Sequence, residues 1–581
     1  MDQENHLPPA HRLYSSYIET GAGSEIAREL WGHIPATMGE AYKKLVEIRA
    51  EYGDPSDEIE ALKKMMKRYL RGLGLLTSEA SENIDKLEKG AVEAGQQPYA
   101  LGGSSLILNK IAYIKALASL GDHGFTPLFF VADYDGIQAE LLNTRVPSPS
   151  PRGLLMSYPT QPELEGSPIY ELPNPPEDWL MKTLERLRSN YRGLLRDVDL
   201  HQRERALLNL DHALSILKGT YYSTENVSDW ATKTIGTLVN LEADLGIPIL
   251  PFSMPGSRRL FQSGYELLLA EPNRTKFLEA ANGAVSLVEA SGHRAGIGYR
   301  DDDYVPFFLE CPTTGCHKTR IDLRYRKGPG SSSALIAGKC PKCGENHELS
   351  FDARKPDLSD IVESLSPRAD SRQVIVNSVI PVLAHVGGPG ETSYYSEVIP
   401  AARTLGLPFP VFLRYTRLFY NTPWNEIYAR SLMSQGCCCL IDGGLFEALS
   451  GWVEARNTDD SDGLKEAHVA IRCCIETTAG MLEEILAGLR TEIEGIKRRL
   501  RNPGDRQTLI KELREKQAQA QQVELYMSSA LGRFNPERFG QEVSWAWLDV
   551  AVVAGVGDLM GVFLRQYNEN TPNSSMFFAN L

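Results

Sequence analysis

The stretch Ala94–Lys110, "AGQQPYALGGSSLILNK", decides how this chain is read. It sets two adjacent glutamines and the glycines Gly95, Gly102 and Gly103 ahead of an apolar segment, and carries no charge before Lys110. Alone it is either a gap-closing turn or a cradle for a polar ligand, since glycine frees the backbone for both. The residues on its C-terminal side favour the second reading. "IAYIKALASLG" reads as a helix ending at Gly121, and "TPLFFVA" as a short buried strand. Asp133 and Asp135 come immediately after that strand. Loop, helix, strand and acidic tip describe a βαβ unit whose active edge lies at the carboxyl end of its strand, so the fold class is α/β.

Working outward, residues 1–90 are expected to form an N-terminal helical region packing on the core. Within it, "GDPSDE" separates two helical segments. Residues 91–175 form the first half of the core and end in a Pro- and Ser-rich surface connection. Residues 176–303 read as a helical connecting region with one further strand at "IPILPFS". Residues 304–355 stand apart as an insert. Residues 356–462 hold a second α/β unit, in which "RQVIVNSVIPVLAHVGGPGETSYYSEVIPAARTLGLPFPVFLRY" gives strand or helix, glycine turn, helix and strand. Residues 463–581 change pattern again. Leu482, Leu486, Leu489, Ile493, Ile496 and Leu500 recur in alternating spacings of four and three, as in a coiled-coil seam. "RNPGD" breaks this helix, and Leu509, Leu513, Ala520 and Val523 continue on a return helix. The pattern predicts an antiparallel hairpin, its seam buried within the subunit or used for dimerisation.

At 581 residues the chain needs several domains, and its 42% hydrophobic and 23% charged residues are ordinary for a globular protein. A net charge of −14 argues against a mainly electrostatic grip on nucleic acid. The acidic, polar start is neither a signal nor a transit peptide, and "AVVAGVGDLMGVFL" is too short to span a bilayer, so no membrane role and a cytoplasmic location are expected. The nine cysteines suit a reducing compartment.

Four of them form the strongest motif. "CPTTGC" supplies Cys311 and Cys316, and the later "CPKC" supplies Cys340 and Cys343. Two short cysteine turns joined by β-prone segments such as "TRIDLRY" bring four thiolates to one structural zinc, closed to catalytic water. His317 and His347 are spare ligand candidates. Lys318, Arg320, Arg324, Arg326, Lys327, Lys339 and Lys342 make the insert locally basic, so RNA could be held there, although a solvated face is favoured. The runs Cys437–Cys439 and Cys473–Cys474 read as buried structural thiols.

"HVGGPGETSYY" is a second glycine motif, with Gly387, Gly388 and Gly390 before a helix that Glu391 begins. Such a start can hold an anion, or Glu391 can satisfy it internally. Asp133 and Asp135 could orient an amine or act as a base, or could serve turn geometry. Arg368 and Arg372 in "LSPRADSR" are candidates for carboxylate or phosphate binding. No Walker loop, GxSxG elbow or HExxH is present.

Together, "GQQ", Leu101, Gly103, "NKI", "PLFFVADYD", "LSP" with Arg372, "HVGGPGETSYYSEV" and "LPFPVFLRYT" resemble the family of the bacillithiol biosynthesis cysteine-adding enzyme, BshC. The resemblance covers roughly residues 90–420. It implies a Rossmann-like core related to nucleotidyltransferases and class I aminoacyl-tRNA synthetases, with a coiled coil that promotes a homodimer. It further implies amide ligation of cysteine to the amino group of glucosaminyl-malate, with ATP or ADP as the nucleotide. Position by position, Gly95, Gln96, Gln97 and Gly103 would line a first pocket. Asp133 and Asp135 would face Gly387, Gly388, Gly390 and Glu391, followed by Tyr394, while Arg372 and Arg414 would bind anionic groups.

Four features depart from the family pattern. Tyr134 stands where a histidine is usual, and Ser104 and Ser105 replace Pro-Leu. The zinc-ribbon insert is not usual, and the C-terminal tail ends differently. Besides the ligase, two other readings stay open at this point: an RNA-associated protein on a synthetase-like core, and a non-catalytic dimeric scaffold.

Overall fold

The computed structural model describes residues 7–21, 24–148, 153–159, 161–328, 332–424, 427, 455, 460–501, 506–525, 527 and 541–581. Its centre is a five-stranded parallel sheet built from β1 (Ala91–Gln96), β2 (Thr126–Val131), β5 (Ile249–Pro251), β11 (Val382–Gly387) and β12 (Val411–Arg414). Across the sheet these run β12-β11-β1-β2-β5. The order builds outward from β1 in one direction and then reverses, so β1 and β11 flank the point of reversal. In open α/β sheets that point opens a crevice beyond the carboxyl ends of the strands.

The strands read as continuous apolar runs because both faces are covered. Every residue of β2 and β11 is buried. The helix Leu106–Ala118 buries nearly all its length against β1 and β2, which explains why "LILNKIAYIKALA" is apolar around most of its circumference. On β1 the sequence reading differs from the fold. The segment expected to be a loop begins as a strand, and "GQQ" is the tip of β1. Its Ala and Gly residues and the charged Glu93 give no β signature.

Two hairpin strands, β3 (Asn143–Val146) and β4 (Leu154–Ser157), lie within the first connection. The insert is a separate antiparallel sheet. It comprises β6 (Tyr304–Glu310), β7 (Arg320–Lys327), β8 (Ser333–Lys339) and β9 (Asn346–Asp352), with β10 (Leu365–Pro367) added beside β6. This sheet therefore reaches past residue 355.

The helices Ser461–Arg499 and Arg506–Leu525 pack together. Ion pairs Arg490–Glu524, Glu492–Lys516 and Arg499–Glu512 fix them as antiparallel. Leu482, Leu486, Leu489, Ile493 and Ile496 are buried along this hairpin, as are Ala520 and Val523 on the return helix. Beyond it the chain returns to the core: β14 (Met576–Asn580) pairs in parallel with β13 (Arg417–Asn421). Trp547 Nε1 also donates to the Leu101 carbonyl at 3.0 Å. Cys473 is exposed, against the expectation of a buried thiol. Cys437–Cys439 lie outside the described residues. Among the described residues no helix is long and apolar enough to cross a membrane.

Candidate functional site

A directed chain of side chains runs along the carboxyl edge of the sheet, across the reversal point. Lys110, on the helix after β1, is 1% exposed and donates to the Gly95 carbonyl at 3.0 Å, Gln96 Oε1 at 3.1 Å and Glu391 Oε2 at 2.6 Å. All three ammonium protons therefore have acceptors. Gln96 Nε2 then donates to Gln97 Oε1 at 2.9 Å, and Gln97 Nε2 to Asp135 Oδ2 at 3.0 Å. Asp135 Oδ1 lies 3.7 Å from Arg320 Nη1, at the start of β7. The paired glutamines thus join the tips of β1 and β2, and both remain partly exposed.

Glu391 closes the other end. It stands in the first turn of the helix Pro389–Arg403, and its Oε2 accepts from the Gly388 N–H at 2.7 Å. The acid satisfies its own helix start, which is one of the two readings its position allowed. Burial raises its pKa, but Lys110 and His385 outweigh that and hold it well below the usual carboxylate range.

Beneath this edge lies a buried ionic group. Glu93 on β1 and His385 on β11 are register partners, both fully buried. Arg372 Nη1 donates to Glu93 Oε1, while Arg372 Nη2 donates to His385 Nδ1 at 3.2 Å and sits 3.1 Å from the Tyr395 hydroxyl. With Nδ1 accepting, His385 Nε2 carries the proton toward Glu391 Oε1, 3.3 Å away. Tyr395 stacks on the imidazole with ring centres 4.8 Å apart. Burial drives the Glu93 pKa up, yet Arg372 and His385 hold it down at about 2. Sequence reading passed over Glu93, His385 and Lys110. The last two stand inside motifs quoted above, and the available signal is an ionisable residue within an otherwise apolar strand, for Glu93 and His385, or helix, for Lys110.

The remaining site residues divide by location. Asp133 is fully buried, and its oxygens accept from Ser253 N–H at 2.9 Å, Ser253 Oγ and Ser228 Oγ at 3.1 Å. It ties the β2 tip to the β5 tip and is not part of the edge chain. Burial raises its pKa to about 6 against the pull of those hydrogen bonds. Arg372 is committed to Glu93. Arg414, paired in register with Gly387, is buried and donates to Ser15 Oγ at 2.5 Å. Gly103, at φ +77°, is buried under the tail, where Trp547 N–H reaches its carbonyl. A side chain at Gly387 would meet the Phe412 ring at 2.8 Å, so that glycine serves packing. Gly390 is exposed, and a Cβ there meets no atom within 4 Å. Tyr394 is half-buried one turn beyond Glu391. Tyr134 is buried in an aromatic group with Phe130 and Phe252.

The four insert cysteines converge. The Sγ atoms of Cys311, Cys316, Cys340 and Cys343 all lie within 4.8 Å of one another, and Cys311–Cys343 measures 3.9 Å. Tetrahedral thiolates on zinc at about 2.3 Å stand ~3.8 Å apart, so the spacing suits a metal ion. The knuckles are made by the chain itself: Cys311 N–H donates to Thr319 O at 2.9 Å, and Gly344 N–H to Cys340 O at 3.0 Å. His347 Nε2 stands 3.9 Å from Cys311 Sγ. Among the basic residues nearby, Arg324 faces Asp301, Asp303 and Asp322.

No protein-family model matches the chain. Three curated relatives do, each bearing the name "Putative cysteine ligase BshC". That of Carboxydothermus hydrogenoformans is 24% identical over 380 residues, covering 63% of both chains. That of Desulforamulus reducens is 22% identical over 464 residues, covering 76% of this chain and 75% of its own. That of Solibacter usitatus is 25% identical over 324 residues, covering 54% and 52%. The chain thus spans just under two thirds of the Carboxydothermus relative's length. Three separate relatives of one name, at 22–25% identity over 54–76% of this chain, support reading it as divergent and BshC-like.

Proposed function

We propose that this protein is a BshC-like ligase that joins cysteine, or a similar amino acid, to the amino group of an acceptor such as glucosaminyl-malate, making an amide in low-molecular-weight thiol synthesis. The observation that carries the reading is the polar edge at the strand reversal, where Lys110 ties the β1 tip to Glu391 and the helix after β11. The strand order supports a Rossmann-like core related to nucleotidyltransferases and class I aminoacyl-tRNA synthetases, in which ligands occupy this crevice. The relatives' names support a cysteine ligase.

Amide formation needs an activated carboxylate and a deprotonated amine. Gln96 at the β1 tip and the turn Gly388–Glu391 would hold a nucleotide, ATP on this reading, which would turn the carboxylate oxygen into a leaving group. The chain's own residues do the rest. Lys110 and Glu391 fix the crevice walls, and the exposed faces of Gln96 and Gln97 offer neutral donors and acceptors to a polar substrate. His385, protonated at Nε2 and 3.3 Å from Glu391, is the group able to relay a proton beside them. This gives the site an imidazole despite Tyr134.

The four cysteines are proposed to hold a structural zinc, and the hairpin to be a coiled coil. The six-part division of the chain and a cytoplasmic homodimer belong to the same proposal. Since the hairpin seam is buried within one chain, the dimer would use the outer face, where Val469 and Met481 are exposed.

The test is to supply ATP, cysteine and glucosaminyl-malate to the purified protein and follow the amide product by mass. ATP should also raise the melting temperature, and Gly390→Trp, which meets no internal atom, should remove that shift. Absence of both product and shift would sink the reading.

A further inference from the structure

The insert and the crevice meet at Arg320. This residue opens β7 directly after the first cysteine knuckle, and its position is set by that knuckle. Thr319 donates through N–H and Oγ1 to the Cys316 carbonyl, at 3.0 and 2.6 Å, and its own carbonyl accepts from Cys311 N–H. Arg320 N–H is anchored on the Gly166 carbonyl at 3.1 Å. The guanidinium lies over the Phe308 ring at 3.9 Å, and Arg368 lies over the same ring at 3.8 Å.

The two arginines differ in how they are satisfied. Arg368 donates from Nε to the Val305 carbonyl at 2.9 Å and from Nη2 to Asp322. Arg320 brings five N–H donors and, among the described residues, makes no side-chain hydrogen bond. Among those residues its nearest carboxylate oxygen is Asp135 Oδ1, 3.7 Å from Nη1, and its buried Nε finds no acceptor there. Its side chain keeps 18% exposure, so the head can be reached from outside. Asp135 is a poor fixed partner, because burial raises its pKa and Gln97 already occupies its other oxygen. A stacked, planar fork with open donors matches an oxyanion bidentately.

We propose that Arg320 binds an oxyanion of a crevice ligand, a carboxylate or a phosphate, and that the metal held by Cys311, Cys316, Cys340 and Cys343 keeps it in place. The proposal rests on reading this edge as a ligand crevice and does not depend on which reaction occurs there. The metal ribbon thereby supplies one wall of the binding site, a role beyond stapling the insert.

The experiment titrates the full-length, zinc-loaded protein by calorimetry with L-malate and, separately, with inorganic phosphate. The tighter probe identifies the oxyanion. Arg320→Gln should weaken that probe roughly 10-fold or more, the size expected for a charge-assisted pair. Arg320→Lys should fall between the two, keeping charge but losing the fork. Asp135→Asn should bind more tightly, since the internal competitor for Arg320 is gone. Removing zinc with a chelator should weaken binding as far as Arg320→Gln does, while far-ultraviolet circular dichroism stays near that of the parent.

Equal binding by Arg320→Gln and the parent, or no binding of either probe, would overturn the proposal. Unchanged binding after zinc removal would overturn the metal's part in it. Malate bound through Arg320 with no amide product on supplying ATP and cysteine would count against the ligase alone. Undiminished product formation by Arg320→Gln would count against Arg320 alone.

Discussion

Lys110 Nζ donates to Glu391 Oε2 at 2.6 Å, joining the helix after β1 to the helix after β11 across the reversal of the sheet. The ammonium is 1% exposed, so removing its charge leaves Glu391 paired, among the described residues, through His385 and the Gly388 N–H. Breaking one partner of a buried pair costs about 3–5 kcal/mol, whereas neutralising both costs far less. Lys110→Met should therefore lose stability of that order in urea unfolding, and the double variant Lys110→Met/Glu391→Gln should lose clearly less than the two singles added. Additive losses would mean the pair is already screened by solvent.

Asp133 gives the second prediction, through pH. Its folded pKa of about 6 lies above the ordinary aspartate value of 3.8. A raised folded value means the stabilisation is complete below the unfolded pKa and is lost as pH rises through the folded one. Asp133 therefore contributes stability at pH 4 that disappears by about pH 6, worth roughly 3 kcal/mol at 1.36 kcal/mol per pKa unit. Asp133→Asn keeps the shape and removes the titration, so its stability should fall less steeply over that window. Equal slopes in both proteins would show that Asp133 titrates normally.

Part of the fold and of the site is legible in the sequence. The buried run "TPLFFV" announces β2, and the four cysteines announce a converging cluster, because each signal is local and repeats over a few residues. Strand β1 is hidden. Its Glu93 contradicts a buried strand until Arg372, distant in sequence, supplies the opposite charge. Asp133 and Asp135 are alike in sequence yet separate in role, since Ser228 and Ser253 consume one and Gln97 the other. Long-range partners decide such cases. The return of Met576–Asn580 to pair with Arg417–Asn421 is invisible for the same reason.

The cysteine cluster predicts a metal. Purified protein should carry one zinc per chain, and Cys340→Ser should lower that sharply by elemental analysis, since a three-thiolate site binds more weakly. Because metal binding by such sites is coupled to folding of the small domain around them, the variant should expose the insert to limited proteolysis first. Zinc retained at full occupancy would implicate His347, which stands 3.9 Å from Cys311 Sγ, as a replacement ligand.

His385 carries the last prediction. Its Nδ1 faces Arg372 and its Nε2 faces Glu391, so the ring is held in one orientation with an Nε2 proton directed at the carboxylate. If this proton serves the amine during ligation, His385→Gln should lower kcat about 100-fold or more, the usual scale for losing a positioned acid–base group. The split between kcat and KM is the sharper readout, because a structural role would disturb acceptor binding as well. The loss should fall on kcat, with KM for the acceptor little changed. Arg372→Lys separates the two roles further. It keeps a cation beside Glu93 but gives up the fork that holds both Glu93 and the Nδ1 lone pair, so it should lower kcat less than His385→Gln does.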